Sequence, residues 1–226
     1  MSNILLKDKE IAVPGETLAT GMDVLPGMGT YRIGEKILAK RLGLVSIEGS
    51  AIKLIPLSGR YIPKRGDTII CKVIDVGFSG WRLDTNSAYS AMLSLKDATS
   101  EFVTRGADLT QFYKLGEHIV CKIFNVTSQK LIDVTTKGPG LKKLVGGRII
   151  SVDSNKVPRI IGKQGSMVSM IKNTTGCNIA VGQNGLRWIN GDAVGELKAI
   201  QTIRKIEKES HMSGLTDKIK NYLESK

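Results

Sequence analysis

The residues best suited to chemistry lie in Val157-Pro158-Arg159-Ile160-Ile161-Gly162-Lys163-Gln164-Gly165-Ser166. A short apolar turn runs into Gly-Lys-Gln-Gly, and a helix-like stretch with Met167, Val168, Met170 and Ile171 follows at once. Two glycines bracketing Lys163 and Gln164 make a tight loop with no Cβ at its ends. A nucleic-acid backbone can then approach the loop amides and the N-terminus of the following helix. Lys163, with Arg159 beside it, supplies cations suited to phosphate contact rather than base reading. A helix-start turn that binds nothing shares this glycine spacing, so the flanking elements have to decide between the two.

They read as follows. A strand-like Gly147-Arg148-Ile149-Ile150-Ser151-Val152 precedes the loop, and Cys177-Asn178-Ile179-Ala180-Val181 follows the helix. Arg187-Trp188-Ile189-Asn190 reads as a third strand, and Ala193 to about His211 as a long helix. This β-α-α-β-β-α order around a GxxG loop resembles the KH domain, whose loop clamps a short run of single-stranded nucleotides. A second motif, Gly182-Gln183-Asn184-Gly185, sits between the two later strands; Asn-Gly favours a tight hairpin turn, which makes its default role structural. Gly214 separates the long helix from a further helical tail, Thr216 to Leu223, with Ile219, Tyr222 and Leu223 on one side.

Upstream, the chain repeats itself. Gly66-Asp67-Thr68-Ile69-Ile70-Cys71-Lys72-Val73-Ile74-Asp75-Val76 is echoed by Gly116-Glu117-His118-Ile119-Val120-Cys121-Lys122-Ile123-Phe124-Asn125-Val126. Two copies are too few for a solenoid, and two strands in similar barrel positions explain the match better. With Gly77–Asp84 and Ala88–Leu93 between them, five short strands with glycine-rich turns suggest a small OB-type barrel. Phe78 and Trp81 fall where single-strand binders place stacking platforms, with core packing as the alternative for each. Tyr89 belongs with them, and Arg82, Arg105 and Lys122 are candidate phosphate contacts.

Residues 1–58 form a first β-rich unit of short apolar runs (Ile37–Ala39, Gly43–Ile47, Ala51–Ile55) broken by turn signals such as Val13-Pro14-Gly15-Glu16. Gly138-Pro139-Gly140 is the clearest later boundary. The expected architecture is therefore multidomain and mainly β with a C-terminal α+β domain: 1–58, 59–137 and 138–226. Lysine and arginine (33) exceed aspartate and glutamate (21) by 12, which favours a polyanionic partner, RNA or DNA first. No apolar run reaches about eighteen residues and Met1 to Ile11 has no hydrophobic core, so neither a membrane span nor a signal peptide is expected. Cys71, Cys121 and Cys177 are far apart and lie in apolar strand patterns, as reduced core residues of an intracellular protein do.

Catalysis needs converging acids, bases or nucleophiles, and none can be assembled. His118 and His211 lie in different units without metal-ligand spacing, Asp84 and Asp97 are isolated, and Gly162–Ser166 lacks the Lys-Ser/Thr step of a nucleotide P-loop. No enzyme, metal or cofactor is expected.

Taken in order, the three units resemble the RNA-binding cap subunit of the archaeal exosome, the ribosomal-RNA-processing-protein-four type. Val13-Pro14-Gly15-Glu16 looks like that family's opening signature, the Gly66-Asp67 barrel resembles its ribosomal-S1-like domain, and the KH domain follows. Gly182, Asn184 and Gly185 match the family's GxNG element, which the resemblance makes an interdomain structural motif. The resemblance implies a cytoplasmic, non-catalytic subunit in a trimeric cap, made with copies of itself or a related cap subunit. Its N-terminal unit would dock to a hexameric ring of phosphorolytic RNase subunits, and its barrel would guide the 3′ end of single-stranded RNA into that ring for degradation or processing. A free-standing S1/KH regulator of transcription or translation is the alternative. An enzyme related to polynucleotide phosphorylase fits less well, since the order of KH and S1 is reversed and a catalytic core is missing.

Overall fold

Alternating apolar residues and dense turn signals commit the chain to short strands until residue 156, after which helical periods appear. A computed structural model describes residues 3–224 apart from 101–103, 105, 211 and 213. It divides into two compact units, Met1–Gly59 and Arg60–Lys226.

The first unit holds eight strands: β1 (Asn3–Ile4), β2 (Ile11–Ala12), β3 (Thr17–Thr20), β4 (Leu25–Pro26), β5 (Thr30–Ile33), β6 (Lys36–Ala39), β7 (Gly43–Glu48) and β8 (Ala51–Pro56). They form two four-stranded sheets, ordered β1-β3-β6-β5 and β2-β7-β8-β4. Between them lies a core that includes Leu18, Ile37, Val45, Ile52 and Leu54. The period-two alternation of β7 and β8 sends Val45, Ile52 and Leu54 inward, which turns Leu44 and Ile55 to the other face.

The second unit begins with a closed barrel. Its strands are β9 (Thr68–Val76), β10 (Gly80–Asp84), β11 (Ser90–Ser94), β12 (His118–Val126) and β13 (Ile132–Thr135), with a one-turn helix α1 (Leu95–Ala98) after β11. Order β13-β11-β10-β9-β12 closes on itself because β13 pairs both with β11 and with β12. Ile69, Cys71, Val73, Trp81, Leu83, Leu93, Ile119, Cys121 and Ile123 fill it. Closure leaves no exposed barrel edge along these pairings.

The remaining elements are β14 (Lys143–Leu144), β15 (Arg148–Ser151), α2 (Val157–Ile161), α3 (Ser166–Thr175), β16 (Asn178–Val181), β17 (Leu186–Asn190), α4 (Ala193–Lys208) and α5 (Leu215–Glu224). β15-β17-β16 form an antiparallel sheet, and Ile160, Ile171, Ile189, Ala199, Ile203 and Ile219 make the core it shares with the helices. Asp192 caps α4, its carboxylate accepting from the Gly195 amide at 3.1 Å. The helix ends at Lys208, and His211, the end expected from sequence, lies outside the described residues. A second apolar cluster, Ile70, Val120, Leu144 and Trp188, joins the barrel to the other face of this sheet.

Candidate nucleic-acid interface

Helix α2 stops at Gly162, whose backbone (φ 75°, ψ 175°) no other residue adopts cheaply; its amide donates to Pro158 O at 2.9 Å. A Cβ at Gly162 would stand 2.7 Å from both the amide nitrogen and the Cβ of Met167. Gly165 (φ 82°) differs: a Cβ there would meet nothing within 4 Å, so its outer side is open. Lys163 and Gln164 project into solvent between the two glycines, and Arg159 is exposed on α2. No side chain caps α3, which leaves the amides of its first turn facing the loop. The result is an open glycine loop at an uncapped helix N-terminus with two exposed cations beside it, suited to a phosphate backbone.

On the barrel, the two aromatics expected as platforms separate. Phe78, at the tip of the tight Gly77–Gly80 turn, is 106% exposed, whereas Trp81 is 0% exposed. This corrects the expectation for Trp81, and the cause is strand alternation. β10 turns Trp81 and Leu83 inward and Arg82 and Asp84 outward. The Trp81 indole N–H donates to Tyr113 O at 3.0 Å, and its ring meets Tyr113 and Phe112 edge-on, with centroids 5.2 and 6.3 Å apart. It is a core residue.

Arg82 stands outside between Asp75 and Met92, and Tyr89 is exposed just before β11. Lys122 is exposed on β12, opposite Thr68 and Thr135. Thr68 and Asp75 mark the two rows on β9 and are seven residues apart, so Lys122 and Arg82 are separated by roughly 23 Å of strand. The structure does not bring them together. Arg105 lies outside the described residues.

The Gly182–Gly185 turn meets the barrel where β10 has left the edge of β9. Asn184, 1% exposed, spans that gap with its side-chain amide. Oδ1 accepts from the Ile70 amide at 3.3 Å, and Nδ2 donates to Ile70 O at 2.7 Å and Thr85 O at 2.8 Å. Asn184 O in turn accepts from Asn86 Nδ2 at 3.1 Å, and the Gln183 amide donates to Thr68 O at 2.8 Å. The side-chain amide thus serves as a peptide group for a strand edge that would otherwise be buried unpaired. A Cβ at Gly182 would overlap Asn184 Oδ1 and come within 2.8 Å of the Ile70 amide, and Gly185 (φ 88°) closes the turn.

The burial of Arg187 and the pairing of Cys71 with Cys121 escaped sequence reasoning, although both cysteines were read as core residues. Arg187 is 0% exposed on β17, its Nε and Nη2 without hydrogen-bond partners; burial pulls its guanidinium down to about 10, against the opposing pull of Glu207. Cys71 and Cys121 bring their sulfurs to 3.4 Å inside the barrel, where burial and then the neighbouring thiol push Cys71 well above its ordinary value. Both are free, as is the buried Cys177. Among the described residues no His/Cys/Asp/Glu group of three or more has metal-site geometry, and no helix is long and apolar enough to cross a membrane.

Three family models match in succession: the exosome RNA binding protein RRP4 N-terminal domain over 9–58, the RRP4 S1 domain over 60–105, and the KH domain over 147–205. Exosome complex component Rrp4 of Pyrococcus furiosus is 45% identical across 100% of this chain and 87% of its own length. The chain belongs to the Rrp4 family of exosome components. Rrp4 of Thermococcus kodakarensis is 43% identical over 100% of the chain and 89% of its own length, and Rrp4 of Methanothermus fervidus 40% over 97% of each. A solved structure of a chain assigned as an exosome complex RNA-binding protein matches with a TM-score of 0.65 and 32% identity, covering 74% of this chain and 96% of its own. With its KH loop, S1 barrel and family membership, the chain carries the RNA-binding modules of an exosome component.

Proposed function

We propose that this protein is a non-catalytic cap subunit that holds single-stranded RNA and passes its 3′ end to a hexameric ring of phosphorolytic RNase subunits. Three modules, 1–58, 59–137 and 138–226, divide the work among docking, channel-mouth binding and KH clamping, in a trimer with copies of itself or a related subunit. The observation that carries the RNA contact is the open Gly162–Gly165 loop at the start of α3, with Arg159 and Lys163 beside it. Phe78, Arg82 and Tyr89, all exposed, extend the contact onto the barrel.

Docking is supported by an apolar face on the first unit. Ile11, Leu44 and Ile55 stand opposite one another across β2, β7 and β8, with Val13, Leu42 and Leu57 alongside, and all but the half-buried Leu44 are exposed. A contiguous apolar patch of this kind marks a protein interface. Three free, buried cysteines suit the reducing cytoplasm.

The test pairs assembly with affinity. The chain as bait should co-purify with ring subunits and confer RNA capture on their phosphate-dependent decay; elution as a free RNA binder would favour the regulator reading. Gly165→Asp has room for its side chain but strains the φ 82° backbone and sets a negative charge at the phosphate position. It should weaken single-stranded RNA binding by about tenfold in a fluorescence-anisotropy titration. Unchanged affinity would remove the loop from the interface.

A further inference from the structure

The two echoed strands are equivalent in three dimensions, and the equivalence exposes a site. β9 and β12 share one pattern of burial along their nine residues and pair antiparallel, with Ile70 opposite Val120. Each carries a bulge at the same place: the register slips at Ile74 against β10 and at Phe124 against β13. A bulge turns adjacent residues to one side of the sheet. Ile74 and Phe124 are accordingly 46% and 40% exposed.

A glycine turn of the opposite copy abuts each bulge. Gly66 N–H donates to Ile123 O at 2.8 Å and Ile123 N–H to Asp67 O at 2.9 Å; Gly116 and Glu117 repeat this with Val73, at 2.9 Å each. The tips of these turns are Lys64-Arg65 beside Phe124 and Lys114-Leu115 beside Ile74. One scaffold therefore presents two surfaces. The Ile74 surface has Leu115 at its tip and Asp75 next to the bulge. The Phe124 surface has an aromatic ring, Arg65 in place of Leu115 and neutral Asn125 in place of Asp75, while Lys64 and Lys122 are exposed around it as their counterparts Lys114 and Lys72 are around Ile74. Its nearby carboxylates are engaged, Asp67 accepting from the Tyr61 hydroxyl at 2.6 Å and Asp133 from Asn125 Nδ2 at 2.9 Å.

An exposed aromatic with cations exposed on its own strand and on the adjoining turn is an arrangement on which a base stacks while flanking phosphates are neutralised. We infer that the Phe124 bulge is a second single-stranded RNA contact, with Phe124 under one base and Arg65, Lys64 and Lys122 on the phosphates, at the far end of β9 from Arg82. Lys122 thereby gains neighbours that make it a phosphate contact apart from the Phe78–Arg82 surface. The inference rests on the RNA-binding reading above.

The Ile74 surface is the internal control. In the 226-residue chain, F124I and R65L each convert one position of the site to its counterpart, whereas L115A alters only the other tip. With a labelled single-stranded oligouridylate, F124I should bind about tenfold more weakly, F124Y like the parent, and L115A unchanged. R65L should lower the salt slope of log K by about one. Photocrosslinking of 4-thiouridine RNA, mapped by mass spectrometry to residues 122–125, tests the same contact without substitution. Parent-like binding by F124I with no such crosslink overturns the site alone. Loss of co-purification with another protein while RNA affinity stays intact overturns it too, making the bulge a protein contact. A parent chain that does not bind single-stranded RNA at all overturns the RNA reading and this site with it.

Discussion

β9 and β12 are near copies, yet their outer edges are closed by different means, and the difference explains how the C-terminal half is attached. On β12, main chain does the work: β14 pairs with it at His118 and Ile119, and the Val120 amide donates to Lys142 O at 2.8 Å. On β9 the equivalent edge is closed at Ile70 by one side chain, Asn184, delivered from a hairpin more than a hundred residues later, with a main-chain bond from the Gln183 amide to Thr68 O beside it. A main-chain edge survives substitution because every residue carries the same peptide group. A side-chain edge depends on a single amide that accepts one bond while donating two, which Asp, Ser or Ala cannot reproduce.

The largest effect should therefore come from Asn184→Ala. It leaves Ile70 N, Ile70 O and Thr85 O without their partner in a buried place, and about 3 kcal/mol of stability should be lost in urea denaturation. A loss below about 1 kcal/mol would mean that water replaces the amide, and the contrast with β12 would weaken. Lys143→Ala probes the other edge. It removes the ammonium that pairs with Glu117 at 2.7 Å but keeps the β14 peptide groups. Both side chains are partly exposed, so the cost should be about 0.5 kcal/mol; a cost near that of Asn184→Ala would show that side chains hold both edges.

The smallest expected effect concerns the pair Thr68 and His118, equivalent positions of unlike chemistry. Burial, then Lys72, lowers the His118 pKa from 6.5. The unfolded chain binds the proton more readily, so stability rises with pH through the window just below 6.5 and falls as acid charges the ring. His118→Gln should flatten that part of the stability–pH curve relative to the parent, by less than either effect above. An identical slope in the two proteins would assign the acid sensitivity to other groups.

Much of the fold was legible because periodicity and punctuation are local. Ile69, Cys71 and Val73 alternate as a strand facing a core, and Pro158, Gly162 and Gly165 mark the breaks around a loop whatever surrounds it. The KH loop could be read for the same reason, since its shape follows from two glycines and the helix they introduce. Trp81 and Phe78 were not separable in that way. Three residues apart on one glycine-rich turn, they present the same chemistry, and only the strand pairing of Trp81 with Val76 and Leu93 fixes which ring enters the barrel.

By itself, then, the amino-acid sequence determined the order of elements, the basic character, the phosphate-ready loop and the kinship of the two echoed strands. Each of these depends on spacing along one stretch of chain. Tertiary structure alone decided the rest: that Asn184 closes the edge of β9, that Arg187 is buried, and that the Gly66–Asp67 turn lies against Ile123, next to Phe124. The first joins residues 114 positions apart, and in such places sheet register and barrel closure, not local propensity, choose which side chains meet.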